Sequence, residues 1–255
     1  MKRISKKNPK FSVITVVKND KFGIVKTIKS VINQSYKDFE YLIIDGDSKD
    51  GTLKSISKYK NKIDYIISKP DKGLYFAMNK GLKVAKGKII VFVNSGDFLT
   101  KDALNIINNI FDKNKKINFV FGTVKRHYTK NTILKYGFNL DRLKYNFDFA
   151  TSHSSGFFLK KNIYKKIGLF NTKYKCSADY DVYLKALMNL KIKGGSTKKG
   201  ELIGIVKSGG FSSKYGFLNH IFEEARIRIN NKQSFLLVSA IFFNAIIKKI
   251  ISEIF

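Results

Sequence analysis

Two hydrophobic rhythms alternate along the first hundred residues. The runs Phe11-Ser-Val-Ile-Thr-Val-Val17, Phe39-Glu-Tyr-Leu-Ile-Ile44, Ile63-Asp-Tyr-Ile-Ile67 and Ile89-Ile-Val-Phe-Val93 are rich in β-branched and aromatic residues and read as strands. Between them apolar positions recur at helical spacing. Ile24, Val25, Ile28, Val31 and Ile32 mark one helix, and residues 75–85 predict another. The polar turn over 45–52 caps a short helix, and Lys86-Gly87 reads as a helix stop. Five uninterrupted apolar residues from Ile89 to Val93 predict a strand buried on both faces. Strand and helix alternate, so the expected fold class is α/β, a mostly parallel sheet flanked by helices.

The rhythm loosens after residue 100. A helix is predicted over 102–111, short strands over 117–122 and 131–136, and a strand over 154–159 that leads to a helix over 162–167. Residues 177–190 form a better helical pattern with Asp179 and Asp181 in its first turn. A strand over 201–206 and two helices over 214–230 and 234–255 close the chain. No repeat or low-complexity linker interrupts this order. The expected organisation is a basic arm (1–10), one domain (11–212) and a C-terminal helical tail (213–255).

The last helix is apolar through Ile247 except for Ser239 and Asn244, a run shorter than the ~20 residues a membrane span needs. Asn244, Lys248 and Ser252 make a polar stripe at i+4 spacing, with Lys249 beside it. An amphipathic helix lying on an anionic membrane surface is the reading this favours. Packing in the core or in a homo-oligomer is the alternative.

Composition narrows the partners. The 255 residues carry a net charge of +30, most of it lysine spread along the whole chain. That charge suits an anionic membrane or phosphate-bearing substrates. Zinc-finger spacing and aromatic RNA-binding strings are missing from the sequence, so nucleic acid is not the expected partner. Apolar content of 44% is enough for a full core. The single Cys176 allows no internal disulfide and fits a reducing compartment. The apolar stretch after the basic arm is too short for a convincing secretory signal. The expected location is cytoplasmic, peripheral on the inner face of the plasma membrane.

Asn94-Ser-Gly-Asp97 follows the fourth strand directly, and Asp97 is its one acid. The carboxyl end of a strand in an open α/β sheet is where such folds bind ligands.

Six motifs, met in order, resemble glycosyltransferase family 2. The opening strand with its Lys18-Asn-Asp20 turn, the helix end Ser30-Val-Ile-Asn-Gln-Ser-Tyr36 and the acidic loop over 45–52 are similar to the family's first three motifs. Residues 68–81 resemble a run found in members that build bacterial surface polysaccharides. Asn94–Asp97 stands at the family's Asp-x-Asp position, and His153 with Ala178-Asp-Tyr-Asp181 resembles its acceptor-side motifs. The likeness spans residues 11 to 190. Three departures stand out. Asn94 and Gly96 leave only Asp97 at the Asp-x-Asp site. Phe76 replaces a frequent Asp, and Lys69 a frequent Glu.

The resemblance implies a GT-A fold, a Rossmann-like sheet with a nucleotide-sugar half (11–99) and an acceptor half (100–212). It implies an inverting transferase that moves a sugar from a nucleotide-sugar donor, UDP-linked by preference, to a lipid-linked or oligosaccharide acceptor. In that reading Asp45 accepts from the imide N–H of the base, and Thr15 and Asn19 line the same pocket. Asp71, Asn79 and Lys80 approach the nucleotide sugar. Asp97 holds Mg²⁺ or Mn²⁺, a Lewis acid for the leaving diphosphate. Asp179 is the general base, with His153 and Asp181 on the acceptor side. Each has a plainer alternative: Asp45 as a turn residue, Lys80 as a solvated lysine, Asp97 as a helix cap, and Asp179 and Asp181 as helix N-terminal acids. The rival functions are a nucleotidyltransferase of similar topology and a basic polyanion-binding protein.

Overall fold

The computed structural model describes residues 8–127, 132–147, 153–207, 210 and 214–254; most of the basic arm lies outside them. The first half follows the sequence rhythm. In order come β1 (Phe11–Val17), α1 (Gly23–Ile32), β2 (Phe39–Asp45), α2 (Thr52–Ser57), β3 (Tyr65–Ser68), α3 (Leu74–Val84) and β4 (Ile89–Phe92). β1 pairs in parallel with both β2 and β4, and β2 with β3. All four strands therefore end on one edge.

Every residue of β1 and β2 is buried because a helix layer covers each face. Val13, Tyr41 and Ile43 meet Ile24, Ile28 and Val31 of α1 on one side. Ile14, Val16, Leu42 and Ile44 meet Met78 and Leu82 of α3 on the other. The runs look continuous in sequence, yet alternate side chains still go to opposite layers.

Gly87 has a different task from the helix stop expected of it. The helix ends at Val84, with Ala85 as its cap. A Cβ on Gly87 would lie 2.4 Å from the Ser12 amide nitrogen, so glycine is needed where the chain crosses β1. Buried Glu40 pins this crossing by accepting from Ser12 Oγ and from the amides of Lys86 and Gly87.

The second half continues with β5 (Phe98–Leu99), α4 (Ala103–Lys113), β6 (Phe119–Phe121), β7 (Thr123–His127), β8 (Thr132–Lys135), α5 (Leu140–Tyr145), β9 (Phe157–Lys160), α6 (Lys161–Ile167), α7 (Ala178–Tyr183), β10 (Gly194–Ser196), β11 (Leu202–Lys207), α8 (Phe217–Asn230) and α9 (Phe235–Ile254). Among the described residues the main sheet has seven strands in the order β10-β6-β9-β4-β1-β2-β3. β9 is antiparallel to β4 and β6. A second sheet, β5-β11-β7-β8, leans over the strand ends.

Local departures from the sequence reading have visible causes. The strand expected over 117–122 breaks at Gly122, and the chain passes into the second sheet as β7. Residues 154–156 form a tight turn, so β9 starts at Phe157. The helix expected over 177–190 is α-helical only through Tyr183 and widens into a π-helical segment at Leu184–Asn189. Among the described residues no helix is long and apolar enough to cross a membrane.

Candidate active site

A cleft of about 2230 Å³ opens over the strand ends. It is lined by the loop after β1 (Asn19, Asp20), the Asp71–Gly73 loop, the Asn94–Asp97 turn, His153, Cys176, Ser177, Asp179, Tyr180 and residues of α8 and α9.

The Asn94–Asp97 turn is held from beneath. Gly96 has φ +93°, a left-handed conformation that favours glycine. Its amide donates to Thr27 Oγ1 at 3.0 Å, and Thr27 Oγ1 donates to the Asp97 carbonyl at 2.7 Å. Asp97 is buried at 5% exposure; its Oδ1 accepts from the Lys207 amide at 3.3 Å and its Oδ2 lies 3.6 Å from His153 Nε2. Burial raises its pKa to about 8, against the opposing pull of the Lys207 amide and Arg126. His153 Nδ1 accepts from the Ser155 amide, which leaves the ring hydrogen on Nε2, facing Asp97. Burial, helped by the charge of Arg126, keeps this imidazole neutral, its pKa lowered to about 3.

Asp179 lines the same cleft. Its Oδ1 accepts from Tyr75 Oη at 3.3 Å and from the Tyr180 amide at 3.0 Å. Burial raises its pKa to about 6 against those two bonds. Asp181 turns the other way, as two residues' spacing on a helix requires. It is buried between Lys185 Nζ (2.7 Å) and Asn231 Nδ2 (2.8 Å) and ties α7 to α8. The acceptor-side place expected for it is therefore corrected to an anchor.

The nucleotide-side residues divide in the same way. Asn19 and Asp71 line the cleft. Asn19 adopts a left-handed φ of 51° and locks the acidic loop, donating its amide to Ser48 Oγ and accepting from the Lys49 amide. Asp71 accepts from the Gly73 amide at 3.1 Å. Thr15 lies fully buried within β1, hydrogen-bonded to Tyr41 Oη at 3.1 Å. Asp45 is also fully buried; its carboxylate accepts from the Ser48 amide and hydroxyl and from Ser68 Oγ. A base would reach Asp45 only after Ser48 or Ser68 yields.

Two expected contacts move off the cleft. Asn79 brackets the Phe170 backbone, donating to its carbonyl and accepting from its amide. Lys80 Nζ donates to the carbonyls of Lys69 and Pro70 and lies 3.8 Å from Asp71. Lys80 braces the Lys69–Pro70 loop from behind, and Asn79 ties α3 to the segment after α6.

Sequence reasoning missed Arg126, because the polar run Thr123–His127 did not read as a strand, and Asp20, which accepts from the Gly23 amide and Ser95 Oγ and so joins the first loop to the Asp97 turn. It also missed Glu223, which accepts from consecutive amides 46 to 48 residues away. No local pattern could have signalled that.

A largely parallel sheet whose strands open onto a cleft is the architecture of the GT-A glycosyltransferases, and this fold is theirs. The family model described as glycosyl transferase family 2 matches residues 12–172, and the chain belongs to that family. A PGL/p-HBAD biosynthesis glycosyltransferase of Mycobacterium tuberculosis is 27% identical over 187 residues, which cover 71% of each chain. Among solved structures, S. aureus TarS residues 1–349 in complex with UDP-GlcNAc matches with a TM-score of 0.69 at 18% identity, covering 93% of this chain and 71% of that one. A mannosyltransferase from Pyrobaculum calidifontis in complex with GDP-Man and Mn²⁺ matches at 0.67 and 15% identity, covering 92% and 70%.

Proposed function

We propose that the chain transfers one sugar from a UDP-sugar to a hydroxyl of a lipid-linked or oligosaccharide acceptor, with inversion at the anomeric carbon. The observation that carries this reading is the pair of buried acids Asp97 and Asp179 lining one cleft. The UDP-GlcNAc complex of TarS, a protein of the same fold, supports the donor class.

In the proposed reaction Asp179 takes the proton from the acceptor hydroxyl as its oxygen attacks the anomeric carbon, and the sugar–phosphate bond breaks to release UDP. A carboxylate with a pKa near 6 is ionised at neutral pH and a stronger base than an ordinary one. Lys18, Lys26 and Lys72 line the donor wall and favour the diphosphate there. Asn19 and Asp71 border the nucleotide, and His153 orients Asp97.

The chain's residues fit a divalent ion held jointly with the donor. Among the described residues there is no cluster of three His, Cys, Asp or Glu side chains able to hold a metal alone. Asn94 Oδ1, however, is buried in the same turn as Asp97 and has no hydrogen-bond partner among the described residues. Asp97 and Asn94 Oδ1 would hold Mg²⁺ or Mn²⁺, with phosphate oxygens and water completing its shell. Such an ion supplies charge neutralisation of the leaving diphosphate.

The exposed apolar face of α9 supports a peripheral position on an anionic membrane. Leu236, Phe243, Ile247, Ile250 and Ile251 face solvent, while Lys248 and Lys249 lie at the cleft edge of the same helix.

The test is UDP release from a panel of sugar nucleotides offered with polyprenyl-phosphate-linked and free glycan acceptors, with the product's anomeric configuration read by NMR. Retention of configuration, or failure of every UDP-sugar to bind, would refute the proposal.

A further inference from the structure

Glu223 lies on α8, yet its carboxylate closes on the loop that leads into Asp179. Its Oε1 accepts from the Lys175 amide at 2.6 Å. Its Oε2 accepts from the Cys176 amide at 2.7 Å, the Ser177 amide at 2.8 Å and the Cys176 thiol at 3.0 Å. Three consecutive backbone N–H groups thus converge on one carboxylate in charge-assisted bonds. Arg228 is fully buried and donates to the carbonyls of Leu143, Lys144 and Asn146 at the end of α5.

The clamp grips the chain two residues before Asp179 and fixes the direction from which α7 starts. Burial and the charge of Glu223 push the Cys176 thiol up to about 12, so it stays protonated and remains a donor to the clamp. The same α8 carries His220, whose Nδ1 meets Ser177 Oγ at 3.4 Å, and Asn231, following α8, holds Asp181. The acceptor-side wall therefore takes its position from the C-terminal helices.

We propose that Glu223 is a positioning residue for transfer: by holding the amides of residues 175–177 it sets Asp179 in the buried, Tyr75-bonded geometry of a general base. This rests on the reading of Asp179 as that base. The groups that face Asp179 are Tyr75 from α3, Tyr164 from α6, Tyr183 from its own helix and His220 from α8. None of them replaces a lost clamp, because none touches the amides of 175–177 in the bonds described above.

The experiment compares full-length Glu223→Ala, Glu223→Gln and Asp179→Asn proteins with the wild type. Two readouts are used: UDP affinity by calorimetry, and the pH profile of UDP-GlcNAc hydrolysis, in which water takes the acceptor's place and gives its proton to Asp179. Glu223→Ala should keep wild-type UDP affinity and lose roughly 10- to 100-fold in kcat, the scale of a misplaced reacting group. Its acidic limb should move to lower pH, because water reaching Asp179 removes the burial that raises its pKa. Glu223→Gln keeps one acceptor oxygen but turns an NH2 donor toward the remaining amides, so its loss of kcat and its limb should lie between those of the wild type and Glu223→Ala. If Glu223→Ala does not fold, Glu223→Asp carries the same test. Wild-type kcat and an unmoved limb in Glu223→Ala would overturn the proposal, as would a loss of UDP affinity as large as the loss of kcat. An inactive Asp179→Asn beside a fully active Glu223→Ala removes only the clamp. A fully active Asp179→Asn removes the base reading and the clamp with it.

Discussion

The sharpest test of the catalytic assignment is a tyrosine, not an aspartate. Tyr75 Oη donates to Asp179 Oδ1 at 3.3 Å and thereby favours the charged carboxylate. Tyr75→Phe removes that bond and leaves the burial, so the Asp179 pKa must rise above the wild-type value of about 6. A base works only when deprotonated. In the wild type, activity should climb with pH, with about a tenth of the enzyme active at pH 5, half at pH 6 and about nine tenths at pH 7. In Tyr75→Phe the whole limb should move to higher pH with its plateau largely kept. Asp179→Asn should abolish the limb and lower kcat by ~10²–10⁴-fold, with UDP affinity unchanged. Folding gives an independent check. Asp179 has a folded pKa near 6 against an ordinary 3.8, so ionising it in the fold costs about 3 kcal/mol, incurred as pH rises from about 4 to 6 and constant above. Asp179→Asn avoids that cost and should melt no lower than the wild type at pH 7, even after losing part of its hydrogen bonding. The assay is kcat/KM for UDP release from pH 4.5 to 9, alongside melting curves. A limb that stays put or moves down in Tyr75→Phe would refute the assignment, and so would a limb that persists in Asp179→Asn.

Asp97→Asn should abolish transfer and remove any divalent-ion dependence of UDP binding; full wild-type activity in EDTA would contradict the metal reading. Asp45→Ala leaves the Ser48 amide and two hydroxyls without their acceptor, so the melting temperature should drop, and a base contact would add a loss of ~1–3 kcal/mol in UDP affinity. A lower melting temperature with unchanged affinity would reduce Asp45 to a turn residue. Replacing Phe243, Ile247 and Ile251 together by Glu should release the protein from phosphatidylglycerol vesicles with UDP affinity intact, because these side chains face solvent. Continued co-sedimentation would mean that α9 is not the membrane contact.

How far the sequence could be read depends on the range of the contacts. The first four strands and their helices were legible because each carries its own apolar periodicity, the strands buried between two helix layers, even where the pairing partner is as distant as β4 is from β1. Asp97 was legible because it directly follows β4. The second half was harder. Thr123–His127 is polar and short, and it becomes a strand only because Leu202–Lys207 pairs with it from far along the chain. Asn79 and Lys80 carry polar groups at plausible positions, but their partners are the backbone of Phe170 and of the Lys69–Pro70 loop, which no pattern announces. Asp179 and Asp181 share a helix turn and differ only in the direction they face.

The two halves of the cleft therefore differ in what is added to their core packing. The donor side rests on β1 and β2, buried along their whole length, and a change there costs core packing. The acceptor side is packed as well, with Ala178, Tyr180, Val182 and Tyr183 in one buried cluster with Phe121 and Phe157, and it adds a few long-range polar ties: Asn79 to Phe170, Asp181 to Asn231, Glu223 to residues 175–177. Polar ties of that kind each contribute on the order of 1–3 kcal/mol and can be rearranged one at a time without emptying a core. A scaffold built this way keeps its nucleotide end constant while the acceptor end changes by single substitutions. Variation among family members should accordingly concentrate in residues 140–250, around Asp179 rather than around Asp97. Swapping α8 and α9 between this chain and a relative should alter acceptor choice and leave UDP affinity where it was, and a swap that changed donor affinity instead would show that the two halves are not separable.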